Sequence, residues 1–388
     1  MCKIIGNMNT TVDRMTSFIV MDILERAQQL QSEGANIIHL EVGEPDFETP
    51  KCINDAIINA QNTGETHYTH SLGRPELRKA IAELYKKEYR VNINPERIII
   101  TSGSSPAILM VLMLLCNAGD EVLMTNPGYP CYKNFTLACH AEPVFVELRP
   151  ENQFNYDFDE IKSKISKKTK ALFINSPMNP TGGLIHEKTF RELAELPLPI
   201  ISDEIYHGLV YDEKAHSILE YTDNAFVING FSKRFAMTGL RLGYIIAPEK
   251  HIRALQILQQ NLFICAPSTA QAGGIAAIHS AGNDIEIMRN TYNERRIYML
   301  HRLQNMGFVV HAEPKGAFYI YCDARKFTSD SLSFALEVLE KAHVGITPGI
   351  DFGTNGEGFI RLSYANSIEN IKTGMDRLEA WLKENFSQ

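Results

Sequence analysis

Seven short apolar runs, RIIIT, DEVLMT, PVFVEL, ALFINS, PIISDE, FVING and LGYIIAP, alternate with helix-length segments between about residues 50 and 285. The runs are rich in β-branched residues and lack polar alternation, so each strand is expected to be buried on both faces. Buried strands separated by helices demand a mostly parallel sheet with helices packed on either side. The expectation is one large α/β domain over residues 49–285 with a seven-stranded sheet.

The remainder of the chain has a different texture. SFIVMDILERAQQLQSEG carries Ile23, Ala27 and Leu30 at helical spacing and stops at Gly34. Beyond about residue 286 come FVVHA, AFYIYCDA and FIRLSYA, with amphipathic segments at 331–343 and 367–386. Residues 16–48 and 286–388 are therefore expected to form a smaller α+β domain from both chain ends. Residues 1–15, polar and aperiodic, are expected to be a mobile N-terminal arm.

Composition narrows the class of function. With 46 acidic and 38 basic residues in 388, the net charge of −8 lacks the basic footprint of a nucleic-acid binder. The basic cluster KSKISKKTK at 162–170 reads as a solvated face. The longest apolar run, AILMVLMLLC, is about half of what a bilayer span needs. Seven scattered cysteines without CxxC fit neither a disulfide framework nor a metal site and point to a reducing compartment. MCKIIGNMNT has neither the apolar core nor the cleavage site of a secretion signal. A cytoplasmic protein without metal, nucleic acid or membrane partners is expected.

Ligands of parallel α/β sheets sit beyond the carboxyl ends of the strands, so the residues that follow each run carry the chemistry. After RIIIT, Gly103, Ser104 and Ser105 stand at the start of a helix, where unpaired amides and the dipole attract a phosphate or carboxylate. The same turn also reads as an ordinary serine-rich cap. After DEVLMT, Tyr129 lies between two prolines, as a plate for a flat ring or as a packed turn tyrosine. After ALFINS, the prolines of PMNPTG fix the backbone around Asn179, and the Asn-Pro bond is a candidate for the cis form.

PIISDEIY ends a buried strand with Asp203, followed closely by Tyr206. A carboxylate there needs a positive or hydrogen-bonding partner, unless it serves as a helix cap. After FVING come Ser232 and Lys233, with Arg241 eight residues beyond the lysine. A lysine leaving the core, a carboxylate, a flat aromatic and a phosphate cup together suit a ligand with an aldehyde, a ring and a phosphate.

These residues carry a resemblance. The chain, from about residue 16 to 384, resembles the fold type I, pyridoxal-phosphate-dependent aminotransferases of class I. Their signature Ser-Lys-x5-Gly-x-Arg-x-Gly is matched by Ser232, Lys233, Gly239, Arg241 and Gly243, and the turns NPGYP, PMNPTG and SDEIY follow in family order. The resemblance implies pyridoxal 5'-phosphate as cofactor, held by Lys233 as a Schiff base. It implies Asp203 as the partner of the ring nitrogen, Tyr206 and Asn179 as donors to the phenolic oxygen, and Tyr129 as the ring's stacking partner. Gly103, Ser104, Ser105, Ser232 and Arg241 would hold the phosphate. Tyr68, in YTHSLGRPELR, matches a tyrosine that reaches the neighbouring subunit's phosphate, which implies a homodimer with shared sites. Arg361, Gly43 and Asn179 match positions at the substrate's α-carboxylate.

The implied activity is ping-pong transamination between an L-amino acid and a 2-oxo acid. A cofactor-dependent carbon–sulfur β-lyase on the same fold is the rival enzyme, and a non-catalytic cofactor-binding regulator the rival from another class. Side-chain specificity stays open: Arg14, His70 or Arg74 would serve a distal carboxylate, whereas Phe18, Ile19 and Tyr132 would build an apolar pocket.

Overall fold

The computed structural model describes residues 10–386. The strands in chain order are β1 (Ile38–His39), β2 (Ile98–Thr101), β3 (Glu121–Asn126), β4 (Glu142–Glu147), β5 (Thr169–Asn175), β6 (Ile200–Asp203), β7 (Ala225–Gly230), β8 (Gly243–Ile246), β9 (Tyr319–Asp323), β10 (Val344–Gly345), β11 (Thr347–Pro348) and β12 (Phe359–Ser363). All seven apolar runs are strands of one sheet, in the order β2-β8-β7-β6-β5-β3-β4. Every residue of β2, β6, β7 and β8 is buried, which explains their unbroken apolar sequence.

Strand β8 alone runs antiparallel, to both β7 and β2. The sheet is thus mixed, though mostly parallel. The reversal follows from the short connection: Gly230 pairs with Gly243, and Phe231 N donates to Leu242 O at 3.0 Å, so Phe231–Leu242 is the loop that closes an antiparallel pair. A parallel return would need a full crossover. The other six strands end at the same sheet edge where β8 begins. Thr101, Asn126, Asn175, Asp203 and the Lys233 loop consequently face one another.

Both chain ends pack together beside this sheet. The helix Ile19–Ser32 buries Val20, Ile23, Ala27 and Leu30, and its core is shared with residues of Gly282–Met306, β9, β12 and Ile368–Phe386. The strands β11, β12 and β9 form an antiparallel sheet, while β1 pairs in parallel with β10. FVVHA does not become a strand; only Val309 bridges, to Asp323. The helix Gly282–Met306 runs through the expected junction at 285/286, since nothing in its sequence breaks it there. Much of the expected arm, residues 1–9, lies outside the described residues. Thr11–Arg14 forms one helical turn, and Arg14 Nη1 donates to Glu142 at 2.9 Å. Among the described residues no helix is long and apolar enough to cross a membrane.

Candidate active site

A cavity of about 320 Å³ opens at the carboxyl edge of the large sheet, a size suited to a cofactor or small ligand. Its wall includes Lys233, Asp203, Asn179, Tyr206, Tyr129 and Arg361, gathered from five separate segments.

The phosphate-like end is set by tight backbone packing. Gly103 has φ +95°, and a Cβ on it would lie 2.5 Å from Arg241 Nη2; a Cβ on Gly243 would lie 2.6 Å from the Gly103 carbonyl carbon. A side chain at Gly243 would push the Lys233 loop off the N-terminus of the helix Ser104–Leu115, and one at Gly103 would displace the Arg241 guanidinium. Ser104, Ser105, Ser232 and Arg241 all line the cavity here. Arg241 is held by Nη1 donating to Thr238 O at 2.8 Å. Unpaired amides, hydroxyls and an exposed guanidinium form an anion cup.

Asp203 is 4% exposed and ends β6. Tyr132 Oη donates to its Oδ2 at 2.6 Å and Ile205 N to its Oδ1 at 3.1 Å, but no ion pair compensates it among the described residues. Burial pushes its carboxyl up to about 6, against the two hydrogen bonds and the charge of Lys233. Its sequence neighbour Glu204 points elsewhere, into a buried set of donors from Ser202, Ser217, Ile218 and Tyr85. Glu204 is a structural carboxylate, and Asp203 is the one that faces the cavity.

Lys233 Nζ donates to Gly43 O at 2.6 Å. Burial lowers its amine to about 8; Glu44 pulls it upward, while Arg361 and Arg241 press it down. Arg234, next in sequence, pairs instead with Glu88, its Nη1 donating at 2.9 Å, and takes no part in the cavity wall.

Arg361, 2% exposed on β12, donates from Nη1 to Asn179 Oδ1 at 2.9 Å and from Nη2 to Glu41 O at 2.8 Å. Its guanidinium carbon lies 4.2 Å from the Tyr319 ring centroid, and its Nε is buried without a partner. Tyr319 Oη also meets Tyr206 Oη at 2.9 Å, and a Cβ on Gly43 would lie 2.2 Å from it. One tyrosine thereby locks the guanidinium, the Tyr206 hydroxyl and the Gly43 loop. Asn179 is placed by Asn175, whose Oδ1 accepts from Asn179 N at 2.7 Å and whose Nδ2 donates to Asp203 O at 2.9 Å. The Asn179–Pro180 bond is cis.

Several expected positions fall elsewhere. Tyr68 is 80% exposed and does not line the cavity. Arg14 binds Glu142, Arg74 binds Glu65, and His70 Nδ1 accepts from Leu72 N at 3.2 Å; none of the three lines the cavity of its own chain. Phe18 and Tyr132 do line it, whereas Ile19 lines a neighbouring cavity behind Tyr129. Tyr132, Tyr319 and Asn175 are the residues whose positioning contacts the sequence did not disclose. Asn175 and Tyr319 end or begin strands at the cavity edge, the one local signal they carry.

The donor set suits pyridoxal phosphate on two observations. A buried carboxylate without a cation of its own matches a protonated ring nitrogen, and a glycine-permitted cradle with a guanidinium against a helix start matches a phosphate.

Comparison with known proteins agrees. The model of the family described as aminotransferase class I and II matches residues 35–378. A (5-formylfuran-3-yl)methyl phosphate transaminase of Methanocaldococcus jannaschii is 45% identical over 373 residues, covering 95% of this chain and 97% of that protein. The aspartate aminotransferase of Pyrococcus horikoshii is 38% identical, with 94% of each chain covered. A solved structure from Methanococcus jannaschii, described as similar in its active site to kynurenine aminotransferases, matches with TM-score 0.90 at 43% identity, covering 97% of this chain and 100% of that one. Likeness that runs through nearly the whole chain, in sequence and in fold alike, makes this protein a member of the class I and II aminotransferases.

Proposed function

We propose that this aminotransferase moves an amino group from an L-amino acid to a 2-oxo acid in two half-reactions within one cavity, with pyridoxal phosphate as resident cofactor and Lys233 as its covalent anchor. The observation that carries this is the meeting of Lys233 with Asp203, a buried carboxylate that lacks a cation, in the wall of the same cavity.

When bound, pyridoxal phosphate supplies an aldehyde to an amine and an electron sink to the substrate's α-carbon. Asp203 would hold the ring nitrogen protonated. Ser104, Ser105, Ser232 and Arg241 would hold the phosphate, and Tyr129 would face the ring. Tyr206 would donate to the ring oxygen together with Asn179, whose amide oxygen is already engaged by Arg361 and whose NH₂ is left to donate.

Lys233 would have a second task. When not bound to the cofactor, its Nζ, with an affinity for protons lowered by burial, would take and hold the proton of the substrate's α-carbon. Such positioned transfer contributes about 10²- to 10⁴-fold in rate. Arg361 would grip the substrate's α-carboxylate, oriented by Asn179, Glu41 and the Tyr319 ring. Gly43 would let the backbone come close on the other side.

Tyr68, exposed and outside its own cavity wall, supports a homodimer in which it reaches the partner's phosphate. The covalent anchor is tested by treating the cofactor-loaded protein with borohydride and locating the added mass by peptide mass spectrometry. The expected position is Lys233; a tag on another lysine, or none, would overturn the assignment.

A further inference from the structure

Arg361 is held in part by a peptide oxygen whose own side chain never enters the cavity. Glu41 O accepts from Arg361 Nη2 at 2.8 Å and from Thr347 Oγ1 at 3.0 Å, yet Glu41 is not in the cavity wall. Strand alternation explains where its side chain goes. Ile38 and Leu40 pack into the apolar core shared by both chain ends, so His39 and Glu41 occupy the opposite face.

That face buries a charge. Glu41 is 0% exposed, His39 Nδ1 lies 2.6 Å from its Oε1, and its Oε2 is buried without a hydrogen-bond partner among the described residues. A carboxylate only accepts, so the ring nitrogen donates. The neighbouring strand β10 makes room for it, since a Cβ on Gly345 would overlap Oε2. An apolar side chain of similar volume would cost less to bury. The carboxylate gains a fixed direction instead, tied to His39, whose own backbone oxygen accepts from Asn366 Nδ2 at 2.9 Å.

We infer that the His39–Glu41 pair positions Arg361: the hydrogen bond fixes the Glu41 peptide, and its carbonyl keeps the guanidinium aimed at the substrate's α-carboxylate. This rests on the grip of Arg361 proposed for that carboxylate. Glu41 is wholly buried in its own chain, so a partner subunit does not reach it. Thr347 Oγ1 also accepts from Arg361 Nη2, at 3.2 Å, so loss of the pair loosens the guanidinium without releasing it. The phosphate cup shares no residue with the pair.

The test compares His39→Leu, His39→Asn, Gly345→Ala and Arg361→Lys with the unaltered full chain, each loaded with pyridoxal phosphate. KM and kcat are measured at saturating 2-oxo acid with those of alanine, leucine, phenylalanine, aspartate and glutamate that the unaltered enzyme converts. The His39 side chain is 25% exposed and tolerates replacement, and leucine removes its donor. KM of His39→Leu is expected to rise about 10-fold with every amino acid converted, because the α-carboxylate is common to all of them. Its kcat is expected to stay within about twofold, and its dissociation constant for pyridoxal phosphate to stay unchanged.

His39→Asn keeps an N–H near the place of Nδ1 and is expected to bring KM back to within about threefold of the unaltered enzyme. Gly345→Ala presses on the carboxylate from β10 and is expected to raise KM as His39→Leu does, which answers the same question should His39→Leu not fold. Unchanged KM in the folded variants, no rescue by His39→Asn, or a loss of cofactor affinity in step with KM would overturn the inference. The grip of Arg361 then still stands if Arg361→Lys raises KM about 100-fold. Unchanged KM in Arg361→Lys would overturn that grip, and the inference with it.

Discussion

Tyr132 Oη donates a 2.6 Å hydrogen bond to Oδ2 of Asp203, and the same ring stacks on Phe173 at 4.5 Å between centroids. The stack fixes the ring and the hydroxyl then steadies a carboxylate that has no ion-pair partner among the described residues. Hydrogen bonds to a charged group contribute about 1.5–3 kcal/mol. Tyr132→Phe keeps the stack and removes only the donor. Its dissociation constant for pyridoxal phosphate is expected to rise about 10- to 100-fold, and the pH dependence of binding to move upward, since the hydrogen bond holds Asp203 down. Loss of affinity without any movement of the pH profile would mean that Tyr132 only fills space.

Asp203 sets stability against function. Its folded-state value of about 6 lies above the free value of 3.8, so its contribution is fully present below the free value and lost as pH rises through about 6. Asp203→Asn is expected to make the cofactor-free protein more stable at pH 7, by about 3 kcal/mol at most. The gain should vanish below pH 4, and cofactor-dependent activity should be lost at every pH. Chemical denaturation of the two cofactor-free proteins at both pH values measures it; a variant less stable at pH 7 contradicts the role of burial.

The Lys233 amine titrates near 8 instead of its free value of 10.5, chiefly through burial. The neutral amine is the nucleophile. The rate at which pyridoxal phosphate combines with cofactor-free protein is therefore expected to rise with pH and level off above about 8. Stopped-flow absorbance follows this directly. A rate still climbing tenfold per pH unit at pH 9 would show an amine with no lowered value. The same depression makes the amine's contribution to stability fall as pH drops through about 8, the reverse of the Asp203 case.

Gly43→Ala places a methyl group where Tyr319 Oη stands, 2.2 Å away. Tyr319 must move, and it carries both the Tyr206 hydroxyl and one face of Arg361. KM for the amino acid is expected to rise about tenfold or more, with a smaller fall in kcat, because the carboxylate grip is loosened more than the proton transfer. Steady-state kinetics at saturating 2-oxo acid separate the two. An unchanged KM would remove Tyr319 from the positioning of substrate.

The chain's legibility follows the range of the interactions involved. Buried strands such as β7 are written as local apolar runs, and strand ends carry Asp203, Asn179 and Lys233 where the sheet rule puts chemistry. Long-range contacts leave no such trace. Nothing near Tyr132 says that its hydroxyl reaches a residue 71 positions away, nor near Tyr319 that it meets Tyr206 across 113. Arg14 and Arg74 looked available as cations only because their partners, Glu142 and Glu65, cannot be read from spacing. The antiparallel turn of β8 leaves little trace as well: an apolar run reads the same in either direction, and only the pairing of Gly230 with Gly243 shows that Phe231–Leu242 closes a loop and not a crossover.

The most direct measurement is a single half-reaction in the absence of any 2-oxo acid. Cofactor-loaded protein is mixed with an excess of one amino acid at a time, and 2-oxo acid and ammonia are counted per subunit. One equivalent of 2-oxo acid, no ammonia, and a halt until a second 2-oxo acid is added are expected of an amino group parked on the enzyme and then passed on. Continued turnover with release of ammonia, or cleavage of a cysteine conjugate to pyruvate and ammonia where no amino acid reacts, would contradict transamination.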